Sequence, residues 1–128
     1  MVRILVIDDA CWIREALRLT LGAAGHDVRL AADDEEGLRA FRRDRADVVL
    51  CDLCMPGKDG LETIRQFRQG WPGVPVVAMS GGATRGGVNL LAVARSLGAC
   101  CILPKPFDRA SMLAAIEEAV RGPAGVLS

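Results

Sequence analysis

Five short apolar runs, each followed by a stretch with helical spacing, constrain this chain more than any other feature. The first run, residues 2–7 (VRILVI), is short and β-branched and is closed by Asp8 and Asp9. Ile13, Ala16, Leu17, Thr20, Leu21 and Ala24 then recur at the spacing of an amphipathic helix, with Gly22 and Gly25 marking its end. The pair repeats. Run 28–31 precedes a helix carrying Leu38 and Phe41, which Asp33 or Asp34 can cap. Run 47–51 (DVVLC) precedes a helix with Leu61, Ile64 and Phe67. Run 74–79 (VPVVAM) precedes one with Val88, Leu91, Ala92 and Leu97. Run 99–103 (ACCIL) leads, through a cap at Asp108, to a helix whose inner face is Met112, Leu113, Ile116, Ala119 and Val120. Alternation of this kind predicts an α/β domain: a five-stranded parallel sheet, right-handed crossovers, and helices on both faces. Near-continuous apolar strands fit that burial.

Composition narrows the function classes. The 128 residues suffice for one domain with a real core. Sixteen basic and sixteen acidic residues cancel, so charge gives no case for nucleic acid or an anionic membrane surface. No apolar stretch approaches the ~20 residues of a membrane span, and the start MVRILVIDD lacks the apolar region of a signal peptide. The expected location is therefore the cytoplasm, where thiols stay reduced. The five cysteines, two of them adjacent, make a poor disulfide framework. Cys51-x-x-Cys54 has no second CxxC beside it, and His26 is the sole histidine, so a zinc site is disfavoured. Core filling is the simpler use of these thiols.

The polar residues that stand out all fall at strand ends. Strand one ends in Asp8 and Asp9, strand three runs into Asp52, strand four into Ser80, and strand five is followed by Lys105. In a doubly wound sheet these ends share one edge, where ligands bind. Three converging carboxylates repel one another unless a cation joins them. Magnesium fits, since it takes one or two carboxylates and leaves room for phosphate oxygens. The chain uses 14 arginines but only two lysines, Lys58 and Lys105. A point-charge ammonium at that one place suits an anion that arginine's planar fork does not serve. Acids, metal, lysine and hydroxyl around one further acid describe a carboxylate that accepts a phosphoryl group. Each residue also has a plainer use: Asp9 can cap the first helix, and the segment at 55–57 (MPG) can be a simple turn.

These residues sit in VIDD (6–9), DLCMPGKDG (52–60), MSGG (79–82) and GACCILPKPF (98–107). With them, the chain resembles a response-regulator receiver domain of two-component phosphorelay systems, of the stand-alone chemotaxis type. The resemblance implies a flavodoxin-like doubly wound (βα)5 fold with strand order 2-1-3-4-5, residues 1–121 forming the receiver and 122–128 a tail or the start of a linker. It implies Asp52 as phosphoacceptor for a sensor histidine kinase or phosphotransfer protein. Asp9, Asp52 and the backbone carbonyl of Cys54 would ligate Mg2+, and Asp8 would act through water. Lys105 and Ser80 would meet phosphoryl oxygens, and the bond before Pro106 would be cis. The domain would be a signalling module rather than an enzyme with its own substrate. Its switch would run through Ser80, Ile102, the loop after strand four and the face of helix 4, strand 5 and helix 5, which is also the expected homodimer face.

The chain departs from the family at Ile102, where an aromatic ring is usual, and it has no tyrosine. Cys54 and Gly82 occupy positions that tune phosphoryl hydrolysis in the family. The glycine-rich SGGATRGG (80–87) favours a loop that moves when phosphate is absent. Three other readings stand beside this one: a receiver cut from a larger regulator with a C-terminal effector domain, a flavin-binding electron carrier of the same strand order, and a CxxC redox protein. Asp8 and Asp9 argue against the flavin carrier, whose phosphate loop would sit where they are. Cys51 ends a buried strand rather than opening a helix, which argues against the redox protein.

Overall fold

The alternating runs become β1 (Arg3–Ile7), α1 (Cys11–Ala23), β2 (Asp27–Ala31), α2 (Asp34–Arg43), β3 (Val48–Asp52), α3 (Gly60–Gly70), β4 (Val76–Ser80), α4 (Leu90–Ser96), β5 (Cys101–Pro104) and α5 (Arg109–Arg121). This is a computed structural model, and the described residues are 1–53, 60–81, 84–85 and 88–121. The five strands are parallel, as the alternation predicts, and lie in the order β2-β1-β3-β4-β5, as the resemblance implies.

Strand alternation divides the core in two. Leu5, Ile7, Val49, Cys51, Val76 and Ala78 face one side, where they pack with Phe41 of α2, Phe67 of α3 and Ala94 of α4. Ile4, Val6, Val48, Leu50, Val77 and Met79 face the other, against Leu17 and Leu21 of α1 and Met112 and Ile116 of α5. Successive residues therefore serve opposite layers, which is why the runs are apolar at every position. Burial of each such side chain stabilises by about 1.5–3 kcal/mol. Phe41 and Phe67 meet edge to face at 5.3 Å, with Trp71 stacked obliquely on Phe41, a geometry that adds to the area term.

Local signals fix several element ends. The Asp33 carboxylate accepts from the Glu36 N–H at 2.8 Å and so caps α2, while Glu36 reaches back to the Ala32 N–H. Asp108 does the same for α5 through Ser111 N–H at 2.7 Å. Gly25 turns the chain after α1 with φ +94°, a conformation a Cβ disfavours.

The sequence reading is corrected in five places. Val88 does not belong to a helix: it pairs in an antiparallel two-residue ribbon of Thr84–Arg85 with Val88–Asn89, and α4 begins at Leu90. Ala16 and Ala24 are exposed, because α1 buries only Leu17 and Leu21 fully. Ala92 is exposed as well. Val120 is 44% exposed, since the buried face of α5 is Met112, Ala115, Ile116 and Ala119 and Val120 stands at its margin. Asp9 caps nothing: the N-cap position of α1 is Ala10, which has no side-chain cap bond.

Candidate functional site

The chain goes from β1 outward to β2, then crosses back to place β3 on the other side of β1. The crevice of the sheet therefore opens at the carboxyl ends of β1 and β3. Ile7 pairs with Cys51 across these strands, so the residues that follow, Asp8 and Asp52, arrive side by side. Asp52 pairs with Met79, and Ser80 with Pro104, which brings Ser80 and Lys105 to the same edge. Backbone bonds lock this end: Leu53 N–H to Met79 O at 2.8 Å, and Lys105 N–H to Ser80 O at 2.8 Å.

Asp8, Asp52 and Ser80 are buried, while Asp9 is exposed. Carboxylate oxygens of Asp8, Asp9 and Asp52 all lie within 4.8 Å of one another. The Lys105 ammonium stands 3.0 Å from Asp8 Oδ2 and 3.6 Å from Asp52 Oδ1. One ammonium among three carboxylates leaves two negative charges in excess, the charge of one divalent cation. An all-oxygen donor set with that excess suits a hard ion such as Mg2+ and not a soft one. The Lys105–Pro106 peptide bond is cis. Ile102 is half-buried in β5 and packs against the layer formed by α2, α3 and α4.

Cys51 stands directly before the buried carboxylate, in the core. Burial pushes its thiol pKa far up, and the neighbouring Asp52 carboxylate adds to that. Its Sγ donates to the Asp52 carbonyl oxygen at 3.6 Å. A thiol so held stays protonated and is no nucleophile. Cys54, the turn at 55–57 and Gly82 lie outside the described residues, as does part of the glycine-rich loop.

Two contributors to this edge were not singled out in the sequence. Gly60 opens α3 hard against the site: a Cβ there would stand 2.6 Å from Asp52 O and from Leu53 Cα. The DG that ends DLCMPGKDG was its available signal. Arg14 of α1 donates from Nη1 to the main-chain carbonyl of Asp8 at 2.8 Å. Nothing distinguishes it in sequence from thirteen other arginines.

Comparison with known proteins agrees with this geometry. A family model described as "Response regulator receiver domain" matches residues 4–117. The chain is 38% identical over 120 residues to the response regulator MprA of Mycolicibacterium vanbaalenii, covering 94% of this chain and 51% of that protein. It thus spans about half the length of the curated relatives it matches. A response regulator receiver domain protein from Clostridium thermocellum superposes with a TM-score of 0.87 at 29% identity, over 100% of both chains. The chemotaxis protein CheY4 of Vibrio cholerae gives 0.84 at 28% identity, covering 93% of this chain and 98% of that one. Phosphorylation on an aspartate is the general function of such domains in two-component signalling. With the aspartate cluster and its lysine at the edge the fold predicts, this chain belongs to the response regulator receiver domain family.

Proposed function

We propose that Asp52 is the phosphoacceptor of this receiver, with Asp8, Asp9, Lys105 and Ser80 arranged to serve its phosphorylation. The observation that carries this reading is the Lys105 ammonium set between two buried carboxylates, 3.0 Å from Asp8 and 3.6 Å from Asp52. Asp9 and Asp52 would hold Mg2+ directly and Asp8 through water, with the carbonyl of Cys54, outside the described residues, as the further ligand that the resemblance implies. When bound, the ion would neutralise charge on the phosphoryl oxygens.

A carboxylate oxygen of Asp52 attacks phosphorus in line as the donor's phosphorus–nitrogen bond breaks, and the leaving imidazole keeps the electron pair. Lys105 swings from its carboxylate partners to a phosphoryl oxygen, and the Ser80 hydroxyl donates to another. Little acid–base work is needed, because such transfer depends on positioning and charge. The donor is a phosphohistidine on a sensor kinase or phosphotransfer protein. It approaches over an apolar groove of about 460 Å3 beside the site, flanked by Trp12, Ile13, Lys105, Pro106 and Phe107. Trp12 is 74% exposed there.

The domain has no substrate of its own to turn over; it assists only its own phosphorylation and dephosphorylation. Residues 1–121 form the receiver, and 122–128, which lie outside the described residues, are a tail or the start of a linker. Output runs through the loop after β4 and the face of α4, β5 and α5, with Ile102 in place of a swinging ring, and a homodimer forms on that face. Because the chain spans about half of its relatives, a regulator with a further effector domain is the second reading. Membership of the receiver family supports action in the cytoplasm; among the described residues no helix is long and apolar enough to cross a membrane.

Mass spectrometry after incubation with Mg2+ and a small acyl-phosphate donor tests the core of this reading. The wild-type chain gains one labile phosphate, and Asp52→Ala gains none. A phosphate retained in Asp52→Ala places the acceptor elsewhere.

A further inference from the structure

Asp8 is pinned at four separate atoms. Its N–H donates to Ala31 O at 3.1 Å. Its Oδ1 accepts from the Ala10 N–H at 2.9 Å, and its Oδ2 from Lys105 Nζ at 3.0 Å. Its main-chain carbonyl accepts from Arg14 Nη1 at 2.8 Å. The first three bonds come from β2, from the start of α1 and from the lysine of the site. The fourth reaches back from the first turn of α1 and ties that helix to the strand end.

The carbonyl of Asp8 belongs to the peptide plane that carries the nitrogen of Asp9. Fixing that plane fixes where the Asp9 N–Cα bond stands, and so the axis about which its side chain is placed. Asp9 is the exposed member of the carboxylate trio, so core packing does not aim it. The Ala10 N-cap position has no side-chain cap bond either. We propose that Arg14 is a positioning residue for the cation site, holding the Asp8 carbonyl so that the Asp9 carboxylate points at the ion. The proposal rests on the phosphoacceptor reading, which supplies the ion.

Charge and position predict opposite signs, which makes the idea testable. A guanidinium near a cation site repels the cation, so a role by charge alone means that neutralising Arg14 tightens Mg2+ binding. A positioning role means that binding weakens, by about ten-fold if Arg14 acts as outer-shell partners of metal ligands do. Calorimetric titration of the full chain with Mg2+ at fixed ionic strength separates the two. Arg14→Met is expected to bind about ten-fold more weakly, and Arg14→Lys, which can still donate to the carbonyl, to recover most of the loss. Unchanged or tighter binding in Arg14→Met overturns the proposal.

The metal-free protein gives a second readout. Exchange of the Ala10 amide proton should quicken in Arg14→Met while α5 is unaffected, and equal exchange at Ala10 counts against the proposal. Should Arg14→Met fail to fold, Arg14→Gln is read in the same way. A wild-type chain that takes up no Mg2+ overturns the phosphoacceptor reading and this proposal together. A wild-type chain that binds Mg2+ as tightly as a folded Arg14→Met overturns the proposal alone.

Discussion

Lys105 is only 17% exposed and shares its charge between Asp8 and Asp52. Without it, two buried carboxylates face each other with their principal counter-charge gone, and the penalty for such an uncompensated site is about 3 kcal/mol. Lys105→Met should therefore lower the metal-free unfolding free energy measured in urea by about that much, and saturating Mg2+ should restore part of the loss. A midpoint equal to wild type without Mg2+ would show that the ammonium is not neutralising the pair. At this scale the sequence was partly legible. Lys105 stood out because lysine is scarce in an arginine-using chain. Arg14 did not, because its role is a single bond to a backbone carbonyl six residues earlier, and no residue-type signal marks such a bond.

At the scale of elements, α3 matters most, since its first residue touches the site. The Cβ of an alanine at position 60 would overlap Asp52 O and Leu53 Cα, both backbone atoms that cannot rotate away. Gly60→Ala should cost about 1–3 kcal/mol, as overpacking does, and slow acyl-phosphate labelling of Asp52. Urea unfolding and a labelling time course check both; a stable variant labelled at the wild-type rate would mean that α3 can shift freely. Caps were readable because they are local: Asp33 and Asp108 bond to backbone three residues on. The start of α4 was not, because Val88 suits helix and strand alike, and the pairing of Arg85 with Val88 decides between them. Val120 keeps helical spacing yet lies half in solvent, since periodicity marks a face without saying where its neighbour stops.

Across the whole molecule, each layer of the core holds one buried thiol: Cys51 on the side of α2, α3 and α4, Cys101 on the side of α1 and α5. Burial, with Cys100 and Glu118 adding to it, pushes the Cys101 thiol from an ordinary 9.0 up to about 12, and Cys51 moves the same way. The folded state therefore keeps protons that the unfolded chain loses once pH passes the ordinary thiol value. Stability from these groups is full below about pH 9.0 and is lost as pH rises toward 12. Between pH 8 and 11 the wild-type urea midpoint should fall more than that of a Cys51→Ala/Cys101→Ala double variant. Parallel pH profiles would show that the thiols titrate alike in both states. The test separates core thiols from redox thiols, because a CxxC nucleophile needs its pKa lowered.

The amino-acid sequence by itself determined the alternation of strands and helices, the two-faced burial of the sheet, and the five polar residues at its carboxyl edge. These follow from spacing and residue type, which act over a few residues. Tertiary structure decided what depends on atoms distant in the chain. Lys105 bridges Asp8 and Asp52 because β5 and β1 end at the same edge, with β3 and β4 between them. Gly60 is required by the closeness of α3 to β3, and Asp9 joins the carboxylate cluster without capping α1, because Ala10 stands at the head of that helix. In each case a short-range preference left several outcomes open, and the packing of the parallel sheet selected one.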